Sequence, residues 1–270
     1  MLKIESLSKR FHANTVNEVR ALQDVNLTLE KGSFTAIIGT NGSGKSTLLN
    51  AVAGTFEPDA GRIFLEDQEI TCWPEYRRAG HIGRVFQNPF AGTAADMTIA
   101  ENIVIATRRG RRRSLRLAVT RAFREAVAER VRTLKMGLDD RLDNPIGTLS
   151  GGQRQALTLL MATWQRPKLL LLDEHTAALD PKSAAKIAEL TKIIIEQEKL
   201  TALMVTHSMQ QAVDLPDRII MMHRGKIVED LQRERKRRAR VPDLMAIFDR
   251  VQKRELFDES VAEMLGAQYH

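Results

Sequence analysis

The sequence has few of the features that mark secreted or single-strand-binding proteins. Its 270 residues include one cysteine, Cys72, which cannot form an internal disulfide and therefore suits a reducing compartment. Aromatic residues make up 5% of the chain, too few for the base-stacking surfaces that bind single-stranded nucleic acid. The chain runs from Met1 straight into polar residues, so no signal peptide is predicted.

Long apolar runs are absent as well. Leu169 to Leu172 is among the longest, and it is far shorter than the roughly 20 residues that a membrane-spanning helix needs. The overall composition, 43% hydrophobic and 28% charged, is that of an ordinary globular protein with a sizeable core. We therefore expect a soluble chain, for which any role at a membrane would require a separate partner.

Positive charge is concentrated in two segments of a chain with a net charge of +7. Ten arginines lie between Arg108 and Arg132, where only Glu125 and Glu129 oppose them, and a second basic run covers Arg233 to Arg240. Such segments suit an anionic lipid surface beside a membrane partner, or nucleic acid. A solvated helix face explains any single arginine equally well.

Alternating strand and helix patterns predict an α/β fold with one core and an inserted or appended subdomain. Thr98 and Glu101 have the spacing of a capping box, and Asp180 followed by Pro181 predicts a helix start. No internal repeat is found. The predicted strands cover 25–29, 34–38, 62–65, 82–86, 168–173 and 202–206, with a hairpin over 218–228, and the main predicted helices cover 46–53, 115–134, 151–164 and 181–197. Two amphipathic segments follow, one with Leu244, Ile247, Phe248 and Val251 and one with Leu256, Val261 and Leu265.

A glycine-rich loop between a predicted strand and a predicted helix carries the strongest functional signal. Its glycines let backbone amides turn toward phosphate oxygens, and the following helix adds the equivalent of about +0.5 charge at its start. Lys45 would reach the β- and γ-phosphates, and Ser46 would offer its hydroxyl to Mg²⁺. The loop consists of Gly39, Thr40, Asn41, Gly42, Ser43, Gly44, Lys45, Ser46 and Thr47.

Two acids end the buried-looking strand that begins at Lys168. Acids at the end of an apolar strand are costly unless they meet a metal or a partner. We expect Asp173 to hold the Mg²⁺ shell and Glu174 to act as general base on the attacking water. Two acids at a strand end are ambiguous by themselves. We assign them these roles because the same chain carries the glycine-rich loop.

A second anion-binding helix start follows Leu149. It consists of Ser150, Gly151, Gly152 and Gln153, just before a predicted helix, and it uses the same physics as the first loop. A loop with a serine N-cap would look the same. However, the chain has two such helix starts and only one lysine-bearing loop, so we expect the second to serve the nucleotide of another molecule.

Several motifs, read in order, resemble the ATP-binding cassette (ABC) family over about residues 1–230. Besides the loop, the second helix start and the acidic strand, they are Gln87 within Val85–Pro89, the run Ala178–Asp180, and His207. The resemblance implies a P-loop NTPase core of the RecA type with an antiparallel β subdomain and an inserted helical subdomain. It assigns 1–87 and 150–230 to the core, 88–149 to the helical subdomain, and 231–270 to a basic linker and helices.

The resemblance also implies roles for individual residues. Two copies would pack head to tail when ATP binds, with residues 150–153 of one capping the γ-phosphate held by the other and Asp180 crossing the interface. Gln87 would contact Mg²⁺ and the water, and His207 would tie the γ-phosphate to Glu174. Phe11 would stack on adenine.

Two positions depart from the family pattern. His175 follows the catalytic glutamate where proline is common, and it either alters the local pKa balance or fills space. Phe11 stands where tyrosine is more usual, and Asn14 to Arg20 looks like an insertion. Neither departure removes a catalytic group.

The resemblance implies an ATPase subunit of an importer at the cytoplasmic face of the membrane. Its expected partners are a second copy of itself, separate transmembrane permease subunits and, indirectly, a substrate-binding protein, with ATP and Mg²⁺ as cofactors and no nucleic acid. The stretch 97–113 bears a fainter likeness to cassettes of branched-chain amino-acid-type permeases. The alternative is a soluble cassette ATPase that acts on nucleic acid or the ribosome, or in iron–sulfur assembly.

Overall fold

The computed structural model describes residues 1–110 and 119–251, which form two β-sheets and the helices around them. The first sheet is antiparallel, with the strand order β2-β1-β4-β5. Its strands are β1 (Leu2–Phe11), β2 (Val19–Leu29), β4 (Ala60–Leu65) and β5 (Gln68–Glu69).

The second sheet has the order β10-β9-β3-β8-β7-β6 and is parallel except for its edge strand β10. Because both faces of its central strands are covered, they read as continuous apolar runs rather than alternating ones, and Leu169 to Leu172 are fully buried. The strands are β3 (Phe34–Gly39), β6 (Ile82–Val85), β7 (Leu169–Asp173), β8 (Thr201–Val205), β9 (Arg218–His223) and β10 (Lys226–Leu231).

The helices pack on the second sheet and form a separate group beside it. They are α1 (Lys45–Ala53), α2 (Glu75–Arg78), α3 (Ile99–Thr107), α4 (Arg121–Arg132), α5 (Gly151–Thr163), α6 (Pro181–Glu198), α7 (Met209–Asp214) and α8 (Arg233–Arg238). One apolar cluster joins α1 to both sheets, a second lies on the opposite face of the parallel sheet, and a third joins α3 and α4 to α5 and α6. Among the residues described, none of the helices combines the length and apolar character that crossing a bilayer requires.

The fold class predicted from the sequence is confirmed, and so are the local helix signals. The side chain of Thr98 accepts from the Glu101 amide in a complete capping box, and the Asp180 side chain accepts from the Ser183 amide at 3.0 Å. The predicted hairpin turns at Arg224 and Gly225 between β9 and β10. The helix predicted over 115–134 is seen as α4, with residues 115–118 outside the described part of the chain.

Described residues of both basic segments make contacts within the chain. The second, expected as a linker, contains α8, because Lys236 donates to the Val213 carbonyl at 2.5 Å and Ala239 is buried. Residues 241–251 are helical, and Ile247 and Phe248 pack against the second apolar cluster, on the parallel sheet. The later segment with Leu256, Val261 and Leu265 lies outside the described residues.

Several arginines of the first segment bind within the chain. Arg109 donates to the Ala162 carbonyl at 2.9 Å and Arg130 to the Trp164 carbonyl at 3.0 Å, where they satisfy the end of α5. Arg121 and Arg132 pair with Glu125 and Asp139. Arg111, Arg112, Arg113 and Arg116 lie outside the described residues.

Candidate active site

The glycine-rich loop connects the end of β3 to the start of α1, as the sequence predicts. Gly44 has φ +98°, and a Cβ there would lie 2.3 Å from the Ala21 carbonyl oxygen. A Cβ on Gly39 would lie 2.3 Å from the Met222 carbonyl oxygen. Because these clashes are with backbone, a side chain at either position would displace the loop, and the glycines are required by the packing as well as by the turn.

Lys45 is buried at the first position of α1, with 5% of its surface exposed. Its ammonium donates to the carbonyl oxygens of Gly39 at 2.9 Å and Thr40 at 2.8 Å. Burial lowers the pKa of Lys45, and the nearby carboxylates of Glu174 and Asp173 act in the opposite direction. The loop thus holds a cation between its own carbonyls and the two acids at the end of β7.

Glu174 is held at the end of β7 in an uncommon backbone conformation. Its φ is +46°, and its amide donates to the Val205 carbonyl of the neighbouring strand at 2.9 Å. His207 follows that strand, and its Nε2 lies 2.6 Å from Glu174 Oε1. The neighbouring acid Asp173 is engaged differently, since its Oδ2 lies 3.3 Å from Nη2 of Arg84.

A cavity of about 450 Å³ brings most of the predicted site residues together. Phe11, at the end of β1, lines it with Val19 and Ala21, and its ring meets the Phe56 ring edge-on, with the centroids 5.5 Å apart. The remaining lining residues are Asn41, Gly42, Ser43, Gly44, Lys45, Ser46, Thr47, Gln87, Glu174 and His207. An aromatic ring, the glycine-rich loop and a paired acid and imidazole therefore share one cavity.

The second helix start is built in the same way but opens elsewhere. Ser150 caps α5 in a capping box with Gln153, and a Cβ on Gly152 would lie 2.9 Å from Ser183 Cβ at the start of α6. Three residues of this helix start, Ser150, Gly152 and Gln153, line a separate cavity of about 420 Å³ with Lys182 and Lys186. Asp180 caps α6 next to it. Within one chain, the two helix starts do not share a cavity.

Gln155 and Arg84 belong to the site although the sequence analysis missed both. Gln155 is fully buried in α5, and its amide nitrogen donates to the carbonyls of Phe86 at 3.0 Å and His175 at 2.7 Å. It thereby joins α5 to the residue before Gln87 and the residue after Glu174. Its place two residues after the second glycine-rich motif was the available signal, whereas Arg84 follows no motif.

His175 lies in the core beneath the site. The ring is 1% exposed, and its Nε2 lies 2.9 Å from the Thr191 hydroxyl of α6. Burial lowers its pKa to about 4, so the ring is neutral near pH 7. The structure therefore gives this imidazole a packing partner in α6, and the space-filling interpretation accounts for its contacts.

Oxygen ligands suitable for Mg²⁺ are present at the loop. Ser46 offers a hydroxyl, Gln87 an amide oxygen and Asp173 a carboxylate, which are the hard donors that Mg²⁺ prefers beside phosphates. Within residues 1–110 and 119–251, no group of three histidine, cysteine or acidic side chains forms a metal site of its own. The donor set thus fits an ion shared with a nucleotide better than an all-protein metal site.

Known proteins resemble this chain in sequence and in structure. Residues 22–177 match the family model described as ABC transporter. A tyrosine transport ATP-binding protein of Clostridioides difficile (strain R20291) is 39% identical over 250 residues, which are 92% of this chain and 99% of that protein. A spermidine/putrescine import ATP-binding protein of Haemophilus influenzae is 33% identical over 230 residues, 85% of this chain and 57% of that protein.

Solved structures agree with the sequence matches. The dimeric structure of an ATP-binding cassette in a post-hydrolysis state, bound to ADP and Pi, matches with a TM-score of 0.74 and 27% identity, over 86% of this chain and 98% of that one. The ADP conformation of another ABC transporter cassette matches with a TM-score of 0.71 and 28% identity, over 87% of this chain and 92% of that one.

Proposed function

This chain belongs to the ABC transporter family as an ATP-hydrolysing import subunit, and we propose that two copies close head to tail around ATP to drive separate permease subunits. The observation that carries the proposal is the separation of the two helix starts. Lys45 and Glu174 face one cavity, and Ser150 faces another. Because the two ends face different cavities of one chain, a second copy would supply the end that the first chain's γ-phosphate lacks.

The first cavity provides the groups for nucleotide binding. Phe11 offers a ring for adenine, and the amides of residues 39–47 with the positive end of α1 offer donors for the phosphates. Lys45 would exchange its carbonyl partners for β- and γ-phosphate oxygens, which are stronger acceptors because they are charged. Asp180, beside the second helix start, would lie at the interface between the copies.

Hydrolysis would rest on the acid and the imidazole at the strand ends. Glu174 would accept the proton of the attacking water, and His207, 2.6 Å from its carboxylate, would orient it and reach the γ-phosphate. Gln87 would position the water. Bound Mg²⁺, held by Ser46, Asp173 and Gln87, would neutralise charge developing on the phosphates.

A groove between the parallel sheet and the helical group is the proposed permease contact. It has a volume of about 330 Å³, and its walls come from α2, β6, α3 and α5. Ile105 is 53% exposed in a wall that also holds Ala79 and Ala106. A short apolar helix of a permease subunit would fit this surface, and it would place the chain at the cytoplasmic face of the membrane.

The cargo class is proposed from the relatives. Cassettes energise the permease and do not touch the cargo, so no side chain here reports it. The relative that this chain matches over 99% of its length serves tyrosine transport, and we propose an amino acid as cargo, delivered by a substrate-binding protein. Copurification of that protein, followed by tyrosine and spermidine binding measurements, tests this choice.

A dimerisation experiment tests the shared site. The Glu174→Gln variant, which retains ATP, should sediment as a dimer with Mg-ATP and as a monomer without it. Adding Ser150→Arg should prevent the dimer and leave nucleotide affinity per chain unchanged, because the first cavity is intact. Thr133→Arg, at the exposed end of α4, is the matched control and should still dimerise. An ATP-dependent dimer that survives Ser150→Arg contradicts the proposal.

A further inference from the structure

Arg84 is the one arginine whose side chain reaches an acid at the strand ends of the site, among the residues the structure describes. It lies on β6, opposite Leu171 of the parallel neighbour β7, so that Asp173 lies two residues further along the adjacent strand. Its Nη2 is 3.3 Å from Asp173 Oδ2 and 2.6 Å from Asn50 Oδ1 of α1. One guanidinium therefore joins the acidic end of β7 to the helix that follows the phosphate-binding loop.

The pair differs from an ordinary surface ion pair, which contributes little to stability. The side chains of Arg84 and Asp173 are 14% and 15% exposed. The guanidinium carbon also lies 4.6 Å from the centre of the Phe86 ring, and that residue precedes Gln87. Since both Asn50 and Phe86 restrain the guanidinium, it can restrain the carboxylate in turn.

We infer that Arg84 is a positioning residue for Asp173, which it fixes by one carboxylate oxygen so that the other is oriented toward the Mg²⁺ of bound ATP. The inference rests on the proposed function, because it requires that Asp173 serves the metal. Groups that orient metal-binding carboxylates are worth about 10- to 100-fold in metal affinity or activity. A guanidinium that only neutralised Asp173 would have the opposite effect, since its removal would strengthen Mg²⁺ binding.

The test measures Mg²⁺-dependent nucleotide binding without hydrolysis. In the full chain carrying Glu174→Gln, binding of a fluorescent ATP analogue is recorded in EDTA and then across a Mg²⁺ titration. Arg84→Met should raise the Mg²⁺ concentration at half-saturation by about 10-fold and leave the metal-free affinity unchanged. Arg84→Lys keeps the positive charge but lacks the planar guanidinium, so it should recover only part of the Mg²⁺ affinity that Arg84→Met loses.

Two further variants keep the result interpretable. Asn50→Ala removes the α1 side chain that accepts a hydrogen bond from Arg84. It should raise the Mg²⁺ concentration at half-saturation by a smaller factor than Arg84→Met does. Arg62→Met, at an exposed arginine of β4, should leave it unchanged. Metal-free binding at the original affinity shows that each variant is folded.

The possible outcomes separate this inference from the proposed function. If Asp173→Asn raises the Mg²⁺ concentration at half-saturation and Arg84→Met leaves it unchanged or lowers it, the role of Arg84 is overturned and the proposed metal site stands. If the Glu174→Gln chain itself shows no Mg²⁺-dependent binding, the proposed metal site fails, and the role of Arg84 fails with it.

Discussion

The helix starts at Lys45 and Gly151 are built alike, with glycines and a hydroxyl side chain, yet their surroundings differ. The first lies in one cavity with Phe11, Gln87, Glu174 and His207. The second is capped by its own Ser150 and Gln153 and lies in a separate cavity with two lysines, Lys182 and Lys186. The same local helix-start chemistry thus lies in two different cavities, and under the proposed function one is a nucleotide site and the other is half of an interface.

The largest expected effect separates ATP hydrolysis from ATP binding at the first helix start. Glu174→Gln removes the proton acceptor but keeps the shape, so steady-state ATP hydrolysis should fall by about 10²- to 10⁴-fold. Nucleotide affinity should change little, because the loop and Lys45 are untouched. Phosphate release and equilibrium binding measured on the same preparation check both statements. Unchanged turnover would remove Glu174 from the role of general base.

The next effect in size tests whether the two helix starts are equivalent for a single chain. Lys45→Ala removes a buried cation that would make charge-assisted bonds to phosphate, each worth about 1.5–3 kcal/mol, so ATP affinity should fall by about 100-fold or more. Lys186→Ala, in the cavity beside the second helix start, should leave the ATP affinity of the monomer unchanged. Isothermal titration of dilute protein measures both. Equal losses would show that one chain uses both ends.

The smallest expected effect concerns the interior that joins the two helix starts. His175 is buried and its pKa is lowered to about 4, below the unfolded value near 6.5. The unfolded chain therefore binds the proton first, and stability that is fully present above pH 6.5 should be lost as the pH falls toward 4. The loss should reach at most about 3 kcal/mol.

Urea unfolding between pH 4 and pH 7 measures this loss. His175→Gln should flatten that part of the pH profile, because the variant has no imidazole to protonate. A wild-type slope in the His175→Gln variant would assign the pH dependence to other groups.

The sequence could be interpreted where the interacting residues lie a few positions apart, and not where they are far apart along the chain. The glycine-rich loop, the capping box at Thr98 and the N-cap Asp180 act between residues a few positions apart, so their spacing is visible along the chain. Arg84 reaches Asn50 across 34 positions and Asp173 across 89, and Gln155 reaches Phe86 across 69. Contacts of that range leave no spacing to recognise.

The sequence alone determined the α/β class, the two glycine-rich helix starts and the acids at the end of β7, because hydrophobic period and glycine chemistry are local properties. The tertiary structure decided that Phe11, Gln87, Glu174 and His207 share a cavity with Lys45 while Ser150 does not. It also decided that the His175 ring contacts the Thr191 hydroxyl and that Arg84 pairs with Asp173. The physical reason is that strand order in a parallel sheet brings distant segments to one edge, and that order depends on packing between the layers.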